Sequence, residues 1–302
     1  MTEQYTFRAI EQCPMCGYKV TDQQYFGKRL NQSQGLNPRK LQGTEVRIYK
    51  CAQCRLVYPN PIPLLSKKDD RHATTELKEF WGERLLSYEH FRDELNVLSR
   101  LSNKPLAEMV VLDIGFGLGN SLLTLSPACK EAHGIEPFEI FFNKAIELNG
   151  NKLDTSLLKC ISFEDAQYRD GQFDFIFFEA LQHLPDLEAG IKKVLRWLKP
   201  GGIFYVELPS SSYLFNRLIN LFYSLQGSGF VVNTNPMHGN YTYYEFSEKC
   251  FIDNGKRLGY KVLHHEVFPC NPPVKGILGD LLHFIMKRTD TGMQRSIWLR
   301  KD

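Results

Sequence analysis

Four cysteines stand in two close pairs, Cys13-Pro14-Met15-Cys16 and Cys51-Ala52-Gln53-Cys54. Two intervening residues let both thiolates of a pair reach one metal from a single tight turn. Two such turns complete the four-coordinate shell of a structural zinc ion. A full set of thiolates leaves no open position for water, so this metal would hold structure rather than do chemistry. Redox use of a Cys-x-x-Cys pair needs a strand-to-helix setting, which neither pair has. A second chemical stretch runs from Val110 to Asn120: a short apolar run carries Asp113, then Gly115, Gly117 and Gly119 alternate with larger residues. It reads as a buried strand, a tight loop and a helix start. Glycine lets the backbone turn sharply and lie against a ligand with no Cβ in the way, and the helix start offers unpaired N–H groups to a polar ligand.

The elements that must position these groups follow from length and pattern. The 302 residues, 43% hydrophobic and 24% charged, suit one large domain, or one ordinary domain plus a small module, with a real core. A net charge of +3 gives no electrostatic case for nucleic acid. The start, Met1 to Arg8, lacks the apolar core of a signal peptide, and no uncharged apolar run is long enough to cross a bilayer. A cytoplasmic protein is expected, where disulfides are uncommon. The remaining Cys129, Cys160, Cys250 and Cys270 are scattered and read as core or surface thiols.

Residues 1–63 read as the metal module and a stiff Pro-rich linker, Pro59-Asn60-Pro61-Ile62-Pro63. The 34 residues between the knuckles have room for a loop and a strand, Glu45 to Lys50. Residues 64–105 form a helical cap, because Phe80, Trp81, Leu85, Tyr88, Phe91, Leu95, Leu98 and Leu101 recur at three- and four-residue steps. From 106 to 302 strands and helices alternate, which predicts a parallel sheet with helices on both faces. Its strands are expected at 110–114, 131–136, 156–161, 173–178 and 203–208. An amphipathic helix from Tyr213 to Leu225 is inserted at about 209–240, as a lid or acceptor-pocket wall in preference to a dimer or membrane surface. A helix over Phe246 to Leu258 follows, then last strands at Tyr260–His264 and Leu281–Met286.

Ligands of such a sheet bind outside the carboxyl ends of its strands. Glu136, at the tip of the second strand and seventeen residues after Gly119, can accept hydrogen bonds from two ribose hydroxyls. Ser162, Phe163, Glu164 and Asp165 follow the third strand and suit an adenine edge. Glu179 opens the loop after the fourth strand, Glu179 to Asp186, which faces the reacting end. A dinucleotide fingerprint spaces its glycines G-x-G-x-x-G, whereas this chain has G-x-G-x-G.

That spacing, with Asp113 before it, Phe173-Asp174 opening the fourth strand and Leu198-Lys199-Pro200-Gly201-Gly202 before the fifth, resembles the class I S-adenosylmethionine-dependent methyltransferases over about Leu106 to Lys287. The paired knuckles, the second running on as Arg-Leu-Val-Tyr-Pro-Asn-Pro, resemble the zinc ribbon preceding a subset of these enzymes, often found with sugar, polysaccharide or secondary-metabolite biosynthesis. The resemblance implies a Rossmann-like α/β fold with a seven-stranded sheet, S-adenosylmethionine as co-substrate and a zinc ion on Cys13, Cys16, Cys51 and Cys54. It implies that Asp113 orients the glycine loop and methionine end, that Gly115, Gly117 and Gly119 admit the cofactor, and that Glu136 binds the ribose. Phe163, with Ser162 or Glu164, would contact adenine, and Glu179 would join the cofactor contacts. Relatives that hold magnesium use Glu-x-x-Glu-His, but Gln182 replaces the second carboxylate here and weakens a hard-cation site.

Alignment of a nucleophile with the methyl is the main catalytic requirement, and an oxygen or carbon nucleophile can also need a base. His183 and His238 are the candidates, with a satisfied structural imidazole the alternative for each. Tyr241, Tyr243 and Tyr244 would line the acceptor pocket. The expected function is methyl transfer to an O, C or N nucleophile of a small-molecule or glycan-linked acceptor. One alternative is an RNA or protein methyltransferase whose basic inter-knuckle residues, Lys28, Arg29, Arg39, Lys40 and Arg47, grip a macromolecule. A catalytically silent partner subunit is the other.

Overall fold

The structure, a computed structural model, describes residues 5–19, 21, 23–30, 44–65, 91–232, 242–268 and 276–302. In the N-terminal part, β1 (Tyr5–Arg8) precedes the first cysteine pair. Strands β2 (Gln24–Leu30), β3 (Glu45–Lys50) and β4 (Val57–Pro59) then form an antiparallel sheet in that order. Strand β3 alternates Val46 and Ile48 inward with Glu45 and Arg47 outward, the period-two pattern of a half-buried strand. The Pro-rich stretch is extended as expected, but it is no free linker. Its continuation, β5 (Ile62–Leu65), pairs with β1, and the Asn60 side chain exchanges two 3.1 Å hydrogen bonds with the Ile10 backbone.

Most of the predicted cap helix lies outside the described residues; its last part is α1 (Arg92–Leu101). Just before α1, Phe91 packs on Phe177 and Tyr205, with ring centroids 4.9 and 5.7 Å away. The chain then alternates through β6 (Val110–Ile114), α2 (Asn120–Ala128), β7 (Glu131–Glu136), α3 (Glu139–Asn149), β8 (Leu158–Cys160), β9 (Phe173–Phe178), α4 (Leu187–Trp197) and β10 (Leu198–Pro209). After β10 come α5 (Leu214–Leu225), α6 (Glu248–Leu258), β11 (Tyr260–Phe268), α7 (Ile277–Arg288) and β12 (Gln294–Lys301).

Seven strands form one sheet in the order β11-β12-β10-β9-β6-β7-β8, parallel from β10 to β8, with β12 antiparallel to both its neighbours. Strand β9 is apolar after Asp174 because both faces are covered there. Phe175 and Phe177 join Leu122 and Leu125 of α2 on one face, while Ile176 and Phe178 join Ile191, Val194 and Trp197 of α4 on the other. The order reverses between β6 and β9, which opens a crevice at the strands' carboxyl ends.

One expected strand is a helix. Leu281 to Met286 lies within α7, and the last strand is β12. A short apolar run without alternation fits a strand or a helix equally, whereas β12 was hidden by the basic residues Arg295, Arg300 and Lys301 around its apolar centre. Its Trp298 stacks on Tyr205 at 4.0 Å, and Ile297 and Leu299 are buried on the other face. The inserted helix, α5, occupies its expected place. Among the described residues no helix is long and apolar enough to cross a membrane.

Candidate functional site

The glycine loop joins β6 to α2 at the crevice. Gly115, Gly117 and Gly119 have φ of 80°, 54° and 85°, a region that penalises a Cβ. Gly115 and Phe116 donate their N–H groups to Ile135 O at 2.8 and 3.3 Å, which ties the loop to β7. A Cβ built on Gly117 would meet nothing within 4 Å, so the backbone there faces open space. Phe116 instead folds over Gly134, where an added Cβ would stand 2.7 Å from its ring. The sequence reading passed over Gly134, although a glycine inside a strand marks a close approach.

Two acids converge on this loop. Glu136 is 3% exposed; its Oε2 accepts the Gly117 N–H at 3.0 Å and its Oε1 accepts the Phe138 N–H at 3.0 Å. Asp113 accepts a short hydrogen bond from the Ser121 hydroxyl in the first turn of α2. Burial pushes its carboxyl up; the Ser121 bond opposes this, Glu179 and Glu136 reinforce it, and it settles at about 7. The buried Asn120 Oδ1 has no hydrogen-bond partner. A nucleoside ligand with an ammonium group fits this arrangement, because it would satisfy that orphaned acceptor and place cationic charge beside two acids.

The loop after β8 is only partly as expected. The Ser162 hydroxyl donates to Asp165 Oδ2 at 2.6 Å, and Glu164 is exposed. Phe163 turns inward, 4.9 Å from Phe178 and 5.5 Å from Trp197, so its ring serves the core. After β9, Glu179 is exposed and His183 is half-buried in a short turn over Leu181–His183. Gln182 is 7% exposed, and its Oε1 has no partner.

Glu207 escaped the sequence reading. The β9–β10 register pairs Tyr205 with Phe177, which sets Glu207 beside the start of the Glu179 loop. Burial, then the charge of Glu179, push its carboxyl up to about 7, against a short hydrogen bond donated by Tyr205. The available signal was a lone charge in the apolar run Ile203 to Leu208.

Tyr243 and Tyr244 are 5% and 1% exposed, and they donate their hydroxyls to Pro63 O and Pro185 O at 2.9 and 3.2 Å. Both hydroxyls are thus engaged by backbone carbonyls. His238 and Tyr241 lie outside the described residues. A cavity of about 390 Å³ lies between the N-terminal strands and the start of α4, bounded by Arg8, Asp186, Lys192 and Tyr244.

The two knuckles come together. The sulfurs of Cys13, Cys16, Cys51 and Cys54 all lie within 4.8 Å of one another, with Cys13···Cys54 at 3.6 Å and Cys16···Cys51 at 3.5 Å. A tetrahedron of Zn–S bonds of about 2.3 Å has S···S edges of about 3.8 Å, so the donor set fits zinc. Contacts with Cys16 and Cys51, and burial, push the Cys13 thiol up; four thiolates this close need a cation between them. The inter-knuckle basic residues are partly spent internally. Lys28 pairs with Glu45 at 3.0 Å, and the buried Arg29 pairs with Glu245 at 2.7 Å.

A parallel sheet reversing at β6, a glycine loop with an acid at the next strand tip and an antiparallel β12 together define a nucleoside-binding α/β protein of the methyltransferase type. A family model described as a methyltransferase domain matches residues 88–265, and the chain belongs to that family, the S-adenosylmethionine-dependent methyltransferases. It is 27% identical over 139 residues to phosphoethanolamine N-methyltransferase 2 of Caenorhabditis elegans, a match covering 44% of this chain and 31% of that protein. The chain thus spans about a third of the length of the curated relative it matches. Among solved structures, a chain from the complex of the Haloferax volcanii Trm112 methyltransferase activator with a methyltransferase aligns at a TM-score of 0.50 and 17% identity, over 78% of this chain and 99% of that one. An S-adenosylmethionine dependent methyltransferase from Mesorhizobium loti aligns at 0.48 and 15%, over 69% and 97%. At these identities the likeness is one of fold alone.

Proposed function

We propose that this chain transfers a methyl group from S-adenosylmethionine to a small-molecule or glycan-linked acceptor at the crevice between the glycine loop and the loop after β9. The observation that carries this reading is the Glu136 carboxylate meeting the Gly117 N–H at 3.0 Å, which sets an acid for ribose hydroxyls against an open glycine backbone. Asp113 and Asn120 would receive the methionine ammonium, and Ser162 and Glu164 the adenine edge.

The cofactor supplies a methyl on a sulfonium, whose departure needs little help. The protein's task is alignment and, for a nucleophile that must lose a proton, a base. His183 stands in the loop after β9 for that role. Glu207, a carboxyl poised near neutrality, is a second group able to hold the proton. The internal pairing of Lys28 and Arg29 favours this reading over macromolecular recognition by the ribbon.

Incubation with methyl-labelled S-adenosylmethionine and a panel of amines, amino sugars, sugar nucleotides and phenols tests the proposal. Amines belong in the panel because the nematode relative is named as an N-methyltransferase. Label should pass to a small acceptor and not to total RNA or protein; transfer confined to RNA or protein would replace the reading.

A further inference from the structure

Helix α6 and the segment before it are bonded to both cysteine knuckles through backbone carbonyls. Asn254 Nδ2 and Arg257 Nη1 each donate to Met15 O at 2.8 Å, inside the first knuckle. The Ser247 hydroxyl and the Cys250 thiol donate to Cys54 O at 2.7 and 3.2 Å, in the second. These carbonyls belong to the turns that carry the sulfurs, so their directions depend on the turns staying folded. Asn254 is itself held, because the Tyr260 hydroxyl donates to its Oδ1 at 2.6 Å.

From the knuckles the contacts run to the acceptor side of the crevice. Glu245 exchanges two 3.0 Å backbone hydrogen bonds with Val57, extending the ribbon sheet by one bridge, and its carboxylate meets Arg29 of β2 in a buried ion pair. One residue earlier along the same segment, the Tyr244 hydroxyl donates to Pro185 O, and the Tyr243 N–H donates to Gln182 O at 3.0 Å. Arg257 makes a second link, since its Nη2 donates to Glu188 Oε2 at 3.0 Å in the first turn of α4. Thr242 to Ser247 is thus a strap bonded to the ribbon on one side and to the loop of Gln182 and His183 on the other. The hydrogen bonds of the glycine loop run to β7, α2 and α3.

We propose that the metal-loaded ribbon is a positioning element for the reaction: through Ser247, Asn254, Arg257 and the strap Thr242–Ser247 it fixes the loop after β9, so that metal occupancy governs the acceptor side of the crevice and leaves the cofactor side unchanged. This rests on the methyltransferase reading above. The ribbon is then a wall of the working site rather than an appended recognition module.

Amide hydrogen exchange on the full chain tests it, with the protein as purified, stripped of metal by a chelator, and reloaded with zinc. The purified chain should hold about one zinc. Removal should speed exchange at least tenfold in Thr242–Ser247 and Leu181–Pro185, and reloading should restore it. Exchange in Gly115–Ser121, and the affinity for S-adenosylhomocysteine, should stay within about twofold. Should the stripped chain unfold, Asn254→Ala and Arg257→Ala serve in its place, since they keep all four sulfur ligands. These variants should retain zinc and cofactor affinity while exchange rises in Leu181–Pro185. Unchanged exchange in the strap and loop, in the stripped chain or in the variants, overturns the inference. So does a chain without zinc, or loosening that spreads equally to the glycine loop. If the untreated chain fails to bind S-adenosylhomocysteine, the methyltransferase reading fails instead, and the exchange results still decide whether ribbon and loop are coupled.

Discussion

Asp113 and Glu136 differ in what they do with burial, and both differences matter to a ligand. Glu136 accepts two backbone N–H groups, whereas Asp113 accepts one hydroxyl and is pushed to about 7. The folded chain therefore holds the Asp113 proton more tightly than the unfolded chain, whose carboxyl titrates near 4. Stability should fall as pH rises between about 4 and 7, and Glu207 acts in the same sense. Asp113→Asn removes its share, so urea midpoints should decline less from pH 5 to pH 8 in the variant than in the natural chain; equal declines would contradict the assignment. At this scale Asp113, the three glycines and Glu136 were legible because their types and spacing sit in one short stretch. Glu207 was not, since its place beside Glu179 is set by the register of two strands far apart in sequence. The inward turn of Phe163 was equally hidden, being decided by Phe178 and Trp197.

The elements were legible wherever one period dominated. Strands β6 and β9 carry apolar runs and helix α5 a stripe at three- and four-residue steps, and the structure forms them where these lie. The C-terminal end misled because Leu281 to Met286 is apolar but for His283, and in α7 the exposed Ile277, Leu278, Leu281 and Phe284 outnumber the polar stripe of Asp280, His283 and Lys287. An element-scale test concerns the seat of the glycine loop. Gly134→Ala puts a methyl 2.7 Å from the Phe116 ring and 3.0 Å from Leu122 and Leu158. Overpacking of this kind costs about 1–3 kcal/mol, which at about 2–4 °C per kcal/mol for a domain of this size lowers Tm by several degrees. A melting temperature equal to that of the natural chain would show that the loop does not lean on this glycine.

At the scale of the molecule, the two parts share one core. Cys13, Met15, Leu56 and Tyr58 of the ribbon lie in the same buried cluster as Phe246 and Phe251 beside and within α6, and as Phe204 of the main sheet. The cysteine spacing revealed the ribbon; its docking was not legible, because it depends on the Met15 and Cys54 carbonyls, which any residue could supply. A chain lacking residues 1–63 would expose Tyr244, Phe246 and Phe251, and should elute from gel filtration as aggregate; a monodisperse, folded product would show the parts to be independent. On the reading proposed above, the crevice holds the cofactor against Glu136. Calorimetric titration of the full chain with S-adenosylhomocysteine should show one site, weakened about ten- to a hundredfold in Glu136→Ala, as expected for lost hydrogen bonds to a carboxylate, with the melting curve still cooperative. No binding by the natural chain, or equal affinity in a folded Glu136→Ala variant, would contradict it.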